Sequence, residues 1–493
     1  MATGRSTAVI IAVGSAVCSL VSAGVGPAEA GTQLHAGVRA AAVGGTWHTA
    51  QKVPGVPVLN KGGEAQIQSV SCTSAGNCSA GGYYTDGSSH HQAFVVSKVH
   101  DTWHTAIPVP GVIALNTGGQ ANIGSMSCTS AGNCSAGGYY TIDNGGHTEA
   151  FVVSQVNGTW HTAIQVPGTA SLNTLRNAGT GSVSCTSAGN CTAGGSYKDG
   201  SGYHAFVVTQ VNGTWRNARK VPGVAALDTR GGGGLGPVAC TPGGNCSAGG
   251  TYVGSSTYAT QPFVVGKVNG TWQAAIPMPG TTTLDPKGHG TWISSMSCGS
   301  AGNCSAGGTY ADRLGADQVF VIDQVNGTWH TARQMPGTAA LNTGGAADVY
   351  ALSCASAGNC SAVGSYFTSY YHAYVASEVN GIWHAAIQAP GTATLNQGKI
   401  AYAISVSCAS PGNCSAGGTY TDISKHMQAF VVNEVNGTWH TATAVPGLAT
   451  LSQSGSAHFY ALSCGAVANC SAGGIYDFAD NPANEQAFLV SEK

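Results

Sequence analysis

Short apolar runs, each bounded by turn-forming residues, recur along nearly the whole chain. The unit repeats every 54 to 57 residues, measured between the tryptophans that mark successive copies. In the first complete copy, the runs predict strands at residues 67–72, 78–85, 93–99 and 103–109. The third run is apolar on both faces, which is typical of a strand in the middle of a sheet.

The fourth run alternates in character, as a half-buried strand does. Alternation predicts that Trp103, Ile107 and Val109 share one face and that His104 and Ala106 share the other. The histidine that follows the tryptophan in most copies is interpreted as a structural strand residue. It occurs as His48, His104, His161, His330, His384 and His440.

Turn signals separate the runs at fixed places. A five-residue turn, Thr-Ser-Ala-Gly-Asn in the commonest copies, joins the first two strands. Asn157-Gly158 precedes a Thr-Trp pair and predicts a tight hairpin between the third and fourth strands. The Val-Pro-Gly that follows ends the fourth strand, because proline cannot donate a hydrogen bond to a neighbouring strand.

Four antiparallel strands repeated eight times predict an all-β, eight-bladed β-propeller. The unit is offset at the two ends of the propeller segment. Residues 46–53 read as a fourth strand and residues 486–491 as a third strand. The N-terminal strand would therefore complete the last blade and close the ring, which removes exposed sheet edges. The alternative is an open β-solenoid, in which complementary ends have no use.

The N-terminal segment has the features of a secretory signal. Arg5 precedes an apolar stretch of small residues, and Ala28-Glu29-Ala30 forms an A-x-A cleavage site. We expect a signal peptide at 1–30, a linker at 31–44 and the propeller at 45–493, in a secreted, extracellular protein. The alternative for residues 1–30 is a membrane anchor.

Eight Cys-x5-Cys pairs remain once Cys18, inside the predicted signal peptide, is set aside. In a secreted chain, paired cysteines predict disulfides; zinc is the rival, but each unit supplies only two cysteines and no histidine at a fixed offset. The predicted pairs are Cys72–Cys78, Cys128–Cys134, Cys185–Cys191, Cys240–Cys246, Cys298–Cys304, Cys354–Cys360, Cys408–Cys414 and Cys464–Cys470.

Charge limits the classes of partner. Only 8% of residues are charged and the net charge is −2, which disfavours nucleic acid and anionic membrane as partners. We expect no membrane insertion, no cofactor and no catalytic metal, and a monomeric chain. Asp-Gly turns such as Asp86-Gly87 and Asp199-Gly200 offer one carboxylate each, too few for calcium.

Function is expected where the copies differ, which is in the loop between the second and third strands and in the segment before each first strand. Both should open on one face of a propeller. Six residues before the first cysteine, the copies carry Gln66, Asn122, Gly179, Gly234, Trp292, Asp348, Tyr402 and His458. The loops add His90, His91, His147, His204, Tyr258, Tyr370, Tyr371, His372 and His426. Aromatic, amide and histidine side chains suit a carbohydrate, which stacks on rings and hydrogen-bonds through hydroxyls. The alternative is ordinary variable loop surface.

The hairpin between the third and fourth strands resembles the Asp-box (BNR-type) repeat, Ser-x-Asp-x-Gly-x-Thr-Trp. Residues 154–160 read Ser-Gln-Val-Asn-Gly-Thr-Trp, which lacks the aspartate and is one residue shorter. The chain also resembles secreted bacterial repeat proteins with an SCxSxxNCxAGG core, which have no general assigned activity. The Asp-box resemblance implies a propeller fold and, for some members, sialidase or other glycan-directed activity.

The chain supplies few of the residues that such an activity needs. A sialidase needs an arginine cluster and a Tyr/Glu nucleophile pair. Only Arg176, Arg230 and Arg313 fall in the predicted face loops, and Glu64, Glu149 and Glu485 are the best-placed glutamates. We therefore expect a non-catalytic binding or scaffold propeller that recognises an extracellular or cell-wall glycan. The alternatives are an Asp-box-type glycosidase or lyase and a purely structural surface protein.

Overall fold

The computed structural model describes residues 44–255, 259–452, 455–478 and 484–493. These residues form eight antiparallel sheets whose first strands contact one another in a closed ring, so the predicted eight-bladed β-propeller is confirmed. Blades are numbered 1 to 8 in chain order, from the Cys72–Cys78 blade to the Cys464–Cys470 blade. The predicted signal peptide and residues 31–43 of the predicted linker lie outside the described residues.

Each blade runs outward from the centre in chain order. The first strands are innermost, since they contact the first strands of both neighbouring blades. They span Ala65–Ser74, Ala121–Ser130, Gly179–Ser187, Gly234–Cys240, Thr291–Ser300, Ala347–Ser356, Ala401–Ser410 and Ala457–Ala466. The second strands span Asn77–Thr85, Asn133–Thr141, Asn190–Asp199, Cys246–Val253, Asn303–Ala311, Asn359–Phe367, Asn413–Thr421 and Asn469–Asp477. The third strands span His91–Val99, Thr148–Val156, Gly202–Val211, Thr260–Val268, Asp317–Val325, Tyr371–Val379, Met427–Val435 and Glu485–Ser491.

The fourth strand is split, and here the predicted faces are wrong. Trp103, Ala106 and Val109 are buried, whereas Ile107 is exposed. The alternation of buried and exposed residues shifts between the two pieces of the strand. It shifts because the backbone N–H of Ala106 donates to Pro54 O at 2.8 Å instead of to the third strand of its own sheet. The two pieces are Thr102–Trp103 and Ile107–Pro108, Thr159–Trp160 and Ile164–Gln165, Thr214–Trp215 and Arg219–Lys220, Thr271–Trp272 and Ile276–Pro277, Thr328–Trp329 and Arg333–Gln334, Ile382–Trp383 and Ile387–Gln388, and Thr438–Trp439 and Thr443–Ala444.

One helical turn follows each Pro-Gly, an element that the strand pattern does not predict. The glycine is the N-cap and adopts a left-handed conformation, as at Gly55 with φ +85°. Glycine is favoured at this position because it has no Cβ to oppose a positive φ. These turns are Val56–Leu59, Val112–Leu115, Thr169–Leu172, Val224–Leu227, Thr281–Leu284, Thr338–Leu341, Thr392–Leu395 and Leu448–Leu451.

The ring closes as predicted. Gln51–Lys52 pairs antiparallel with Glu485–Ser491 and completes the sheet of blade 8, while Trp47 forms a further bridge to Glu492. The Trp47 indole N–H also donates to Asn433 Oδ1 of blade 7 at 3.2 Å. The closing strand is thus held by two blades.

All eight predicted disulfides are formed, and the zinc alternative is wrong. Each joins directly paired residues of the first and second strands, with Cα atoms 3.9 to 4.0 Å apart. The closed loop is small, so the loss of chain entropy in the unfolded state contributes about 2 kcal/mol for each bond.

Hydroxyl groups join neighbouring blades through buried hydrogen bonds. Ser71 Oγ accepts from the backbone N–H of Cys128 at 3.0 Å, and Ser127 Oγ from that of Cys185 at the same distance. Such bonds each contribute about 1 kcal/mol net and leave no buried amide unpaired. The serine before the cysteine therefore positions the next blade.

A second buried link lies near the second cysteine, at one residue of each blade that is in its third strand or, in blade 8, directly after it. We call this the seam position. Its side chain contacts a hydroxyl of the preceding blade: Ser79 Oγ donates to Gln155 Oε1 at 3.4 Å, and Ser305 Oγ donates to Glu378 Oε2 at 3.2 Å. All eight seam residues are buried: Lys98, Gln155, Gln210, Lys267, Gln324, Glu378, Glu434 and Glu492. Three ionisable acids therefore lie inside inter-blade seams.

Candidate functional site

The two variable segments lie on one face of the ring, as expected. Parallel bridges join the start of a third strand to the segment before the next first strand, as in His91 with Gln120 and Thr148 with Asn177. The disulfide hairpins lie at the opposite end of the strands, since they connect the first strand to the second. We call the face that carries the variable segments the variable face.

Residues six before the first cysteine lie on the innermost strands and are half-buried. In blade 1, Ala65 and Ile67 are fully buried, while the alternate residues Gln66 and Gln68 are partly exposed and so face the central opening. We call the residues at the Gln66 position the mouth ring: Gln66, Asn122, Gly179, Gly234, Trp292, Asp348, Tyr402 and His458.

A second inner ring, four residues before the cysteine, was missed by the sequence analysis. It carries Gln68, Gly124, Gly181, Gly236, Ser294, Tyr350, Ile404 and Tyr460. Because side chains two apart in a strand share a face, the alternation could have revealed it. Together the two rings bring large side chains to blades 5 to 8 and 1, whereas blades 3 and 4 carry only glycine and blade 2 carries Asn122 with Gly124.

The glycines of blades 2 to 4 leave real space at the centre. A Cβ added to Gly124, Gly181 or Gly236 would come no closer than 3.7 Å to any atom. By contrast, a Cβ added to Gly195 of the second strand would lie 1.9 Å from Gly179 O. Packing therefore requires the second-strand glycine but not the inner-ring glycines, and the opening is wider on this side.

Blades 6 and 7 bring four candidate side chains together, which we call the tyrosine–aspartate cluster: Asp348, Tyr350, Tyr371 and Tyr402. The ring of Tyr402 lies 6.2 Å from that of Tyr350 at 86° and 5.2 Å from that of Tyr371 at 47°. Asp348 Oδ1 accepts a hydrogen bond from Thr309 Oγ1 at 3.0 Å. All four side chains stay partly exposed toward the opening.

Burial dominates the electrostatics of this cluster. It raises the pKa of the Asp348 carboxyl, an effect that the Thr309 hydrogen bond only partly opposes. Burial, and then the charge of Asp348, raise the pKa of Asp317 in the preceding blade as well. Burial, together with neighbouring Tyr371 and Asp348, raises the pKa of Tyr402 to about 12.

A second group lies where blade 8 meets blade 1, and we call it the glutamate–tyrosine cluster: Glu64, Tyr83, His91, Tyr460 and Glu485. The Tyr83 hydroxyl donates to Glu64, and His91 Nε2 lies 3.3 Å from the same carboxylate. Tyr83 and His91 stack with ring centroids 4.6 Å apart. The backbone N–H of Glu485 donates to Gly63 O, which places the two glutamates on adjoining chain segments.

The two glutamates differ in acidity. The hydrogen bond from His91 lowers the pKa of Glu64, whereas burial and then the charge of Glu64 raise the pKa of Glu485 to about 7. Near neutral pH, one carboxyl is therefore ionised while the other still holds a proton part of the time. A pair with separated acidities can divide the roles of base and acid.

The predicted loop histidines are not brought together. His147 lies on an exposed turn, 2.7 Å from Asp143, and His204 is bound to Asp199 at 3.0 Å. His372 is buried and stacked on Tyr366, where burial lowers its pKa. His426 is exposed at a turn, and Tyr258 lies outside the described residues. Only His91 joins a cluster.

Other candidates have structural partners. Glu149 is buried and accepts hydrogen bonds from Gln165 and Asn173, so it serves the blade. The Arg230 side chain donates to Gly254 O and Ser255 O. Among the described residues, no group of three or more His, Cys, Asp or Glu side chains is arranged to hold a metal ion.

Clefts also open at the outer seams, away from the variable segments. The one between blades 1 and 2 has a volume of about 290 Å³ and is lined by His104, Ile107 and Trp160, among others. A cleft of about 490 Å³ lies between blades 4 and 5. These clefts use framework residues that recur in the repeat, so any binding there would involve several similar sites.

Comparison with known proteins supports the fold and stops there. No protein-family model matches the chain, and no curated protein sequence matches it. Sqt1 from Chaetomium thermophilum, solved with the N-terminus of ribosomal protein L10, is 10% identical over 88% of this chain and 98% of that one, with a TM-score of 0.50. An ulvan lyase is 9% identical over 81% and 95%, with a TM-score of 0.41. A Hadza microbial sialidase is 12% identical over 70% and 73%, with a TM-score of 0.36. Of these, only the Sqt1 match reaches a TM-score of 0.50, and at 10% identity it shows the fold alone. The Asp-box resemblance stays a prediction.

None of the helices in the described part of the chain is long and apolar enough to cross a membrane.

Proposed function

We propose that this chain is a secreted, non-catalytic propeller that binds an extracellular or cell-wall glycan in the central opening of its variable face. The observation that carries the proposal is the asymmetry of the opening. Tyrosine, tryptophan, carboxyl and amide groups line blades 5 to 8 and 1, while glycines leave space in blades 2 to 4. Sugar rings stack on aromatic faces, and their hydroxyls need convergent acceptors and donors of this kind.

The asymmetry favours one central site over many equal sites. Inner-ring side chains differ from blade to blade, so the eight copies cannot offer the same contacts to a ligand. The outer-seam clefts are the alternative for multivalent binding, in which weak sites act together. Secretion is proposed with the function, because eight disulfides require an oxidising compartment.

Titration calorimetry with a panel of neutral, acidic and basic oligosaccharides on residues 31–493 tests the proposal. We expect one site per chain. Gly181→Tyr should weaken binding at least tenfold while leaving the melting temperature unchanged, because Tyr350 and Tyr460 occupy the same inner-ring position elsewhere in the chain. Thr102→Tyr, at an exposed hairpin of the opposite face, is the control. Several equal sites, or no oligosaccharide binding, would reject the proposal.

A second candidate, cleavage of a glycan by a glycosidase or lyase, is favoured by one observation. Glu64 and Glu485 adjoin each other and have separated acidities, as an acid and a base acting on one bond require. Product analysis of the same panel distinguishes the two. Turnover that Glu485→Gln abolishes would support cleavage, and an oligosaccharide that is bound but left intact would exclude it.

A further inference from the structure

The Asp348 carboxylate lacks a cation, whereas three other carboxylates of the variable face lie beside a histidine. Glu64 lies beside His91, Asp143 beside His147, and Asp199 beside His204. In the described part of the chain, no lysine, arginine or histidine nitrogen lies within 4.0 Å of Asp348, and only Oδ1 accepts a hydrogen bond. An ionised carboxylate that is partly withdrawn from water is stabilised by a positive charge beside it.

Two tyrosines, Tyr350 and Tyr402, lie close enough to this carboxylate for its charge to add to the effect of burial in raising their pKa, and Tyr371 lies next to Tyr402. The rings of Tyr350 and Tyr402 meet at 86°, and the ring centroids of Tyr371 and Tyr402 are 5.2 Å apart. The face of a tyrosine ring attracts a cation, and several rings at steep mutual angles form the kind of cage that holds substituted ammonium groups. The tyrosine–aspartate cluster thus combines two features that select an organic cation over a neutral group.

Tyr374 is a second polar feature close to Asp348. Its side chain is fully buried, yet its hydroxyl has no hydrogen-bond partner among the described residues. It lies close enough to Asp348 and Tyr350 for both to raise its pKa. Blade 6 alone carries this hydroxyl, because the other blades have phenylalanine at the same position: Phe94, Phe151, Phe206, Phe263, Phe320, Phe430 and Phe488. Tyr197 and Tyr476 also carry buried hydroxyls without a partner, so what is peculiar to blade 6 is that this hydroxyl lies close to Asp348.

We propose that Asp348 and the rings of Tyr350, Tyr371 and Tyr402 bind an organic ammonium group at the mouth of the central opening. Such a group could be the free amine of an amino sugar, in which case this inference rests on the proposed glycan function. It could instead be a quaternary headgroup such as choline, which needs no glycan. The chemistry is the same: a carboxylate neutralises the positive charge, and the ring faces surround its alkyl or sugar carbons.

Two matched ligand pairs test the inference by titration calorimetry on residues 31–493 at about pH 6.5, where amines and carboxyl groups of ordinary pKa are charged. The first pair is choline and 3,3-dimethylbutanol, its neutral isostere. The second is a glucosamine oligomer and its N-acetylated counterpart. We expect the cationic member of at least one pair to bind at least tenfold more tightly than the neutral member.

The chain itself supplies conservative variants. Asp348→Asn and Tyr402→Gln install residues that occupy the same mouth-ring position in blades 2 and 1, as Asn122 and Gln66, so both should fold. Each should reduce the preference for the cation at least fivefold. Asp101→Asn removes a carboxylate from the hairpin of the opposite face and should leave the preference unchanged. Melting temperatures check that each variant is folded.

The outcomes separate the two proposals. A preference within only one pair identifies the source of the ammonium group as the glycan or the quaternary headgroup. Equal affinity within both pairs, no binding by any cation, or a preference that survives Asp348→Asn would overturn the inference. Equal binding of both oligomers would leave the glycan proposal intact. Binding of choline without binding of any oligosaccharide of the panel would reject the glycan proposal and support the ammonium site.

Discussion

Replacing Glu378 by glutamine should stabilise the protein, and only at neutral to alkaline pH. Glu378 occupies a seam position, is 3% exposed and accepts a hydrogen bond from Ser305 Oγ at 3.2 Å. Burial, and then the negative charge of Asp323, raise its pKa from 4.5 to about 7; the Ser305 bond and Arg333 oppose this only in part. The folded state therefore holds this proton more tightly than the unfolded state does.

The sign and size of the effect follow from that difference. A carboxyl whose pKa is raised on folding favours the folded state while it is protonated, so stability is lost as the pH rises from 4.5 to about 7. One pKa unit corresponds to about 1.4 kcal/mol, so ionising Glu378 in the folded protein costs about 3 kcal/mol at pH 8. Glutamine has no proton to lose, and it keeps an oxygen that can accept from Ser305.

The chain already uses glutamine in this way. Gln155, Gln210 and Gln324 occupy the seam position in other blades and accept from the equivalent serine at 2.9 to 3.4 Å. Urea unfolding followed by tryptophan fluorescence, with disulfides intact, gives the measurement. We expect Glu378→Gln to raise the free energy of unfolding by about 2 to 4 kcal/mol at pH 8 and by much less at pH 4.5.

A reciprocal variant supplies the control. Gln324→Glu should lose stability at pH 8 and regain it in acid. A gain from Glu378→Gln that is equal at both pH values would refute the reasoning, because a pH-independent effect would come from packing. A loss at pH 8 would show that the carboxylate is held by a favourable contact.

Three further predictions concern the framework. Gly195→Ala should cost at least about 2 kcal/mol by overpacking, whereas Gly181→Ala in the same blade should change the unfolding free energy by less than about 0.5 kcal/mol; similar costs measured by urea unfolding would contradict the space assigned to the opening. Replacing Cys354 and Cys360 together by alanine should lower stability by about 2 kcal/mol on the chain-entropy account, and no loss in a non-reducing melt would count against that account. Trp47→Ala should cost about 3 kcal/mol and make residues 485–491 exchange amide hydrogen faster, because the closing strand loses its buried anchor; unchanged exchange there would show that the other bonds of this strand suffice.

The repeat made the eight-bladed fold predictable from the sequence, but it did not reveal that the fourth strand is split. Four apolar runs and complementary ends suffice for a closed eight-bladed ring, since each strand is specified eight times over. The split of the fourth strand was not predictable from alternation. It depends on the hydrogen bond from the Ala106 amide to Pro54 O. Pro54 follows the strand that completes blade 8, and the local pattern of blade 1 does not encode a contact with another blade.

The candidate site was predictable only in part. The mouth ring followed from comparing copies, and Asp348 and Tyr402 were among the residues it selected. Tyr350 and Tyr460 were missed although they lie two residues further along the same strand. His204 and His372 were selected by residue type, yet their contacts with Asp199 and Tyr366 are structural. Residue identity could not separate a histidine that is free to bind a ligand from one already engaged.

The mouth ring also has a consequence for protein engineering. One backbone position carries glutamine, asparagine, glycine, tryptophan, aspartate, tyrosine and histidine within a single folded chain. The first two strands of every blade have the same arrangement and are joined by a disulfide. Side chains at this position can therefore be exchanged without changing the fold. A library randomised at these eight positions, displayed and selected against chosen targets, would sample new specificities on a scaffold whose tolerance the natural sequence has already tested.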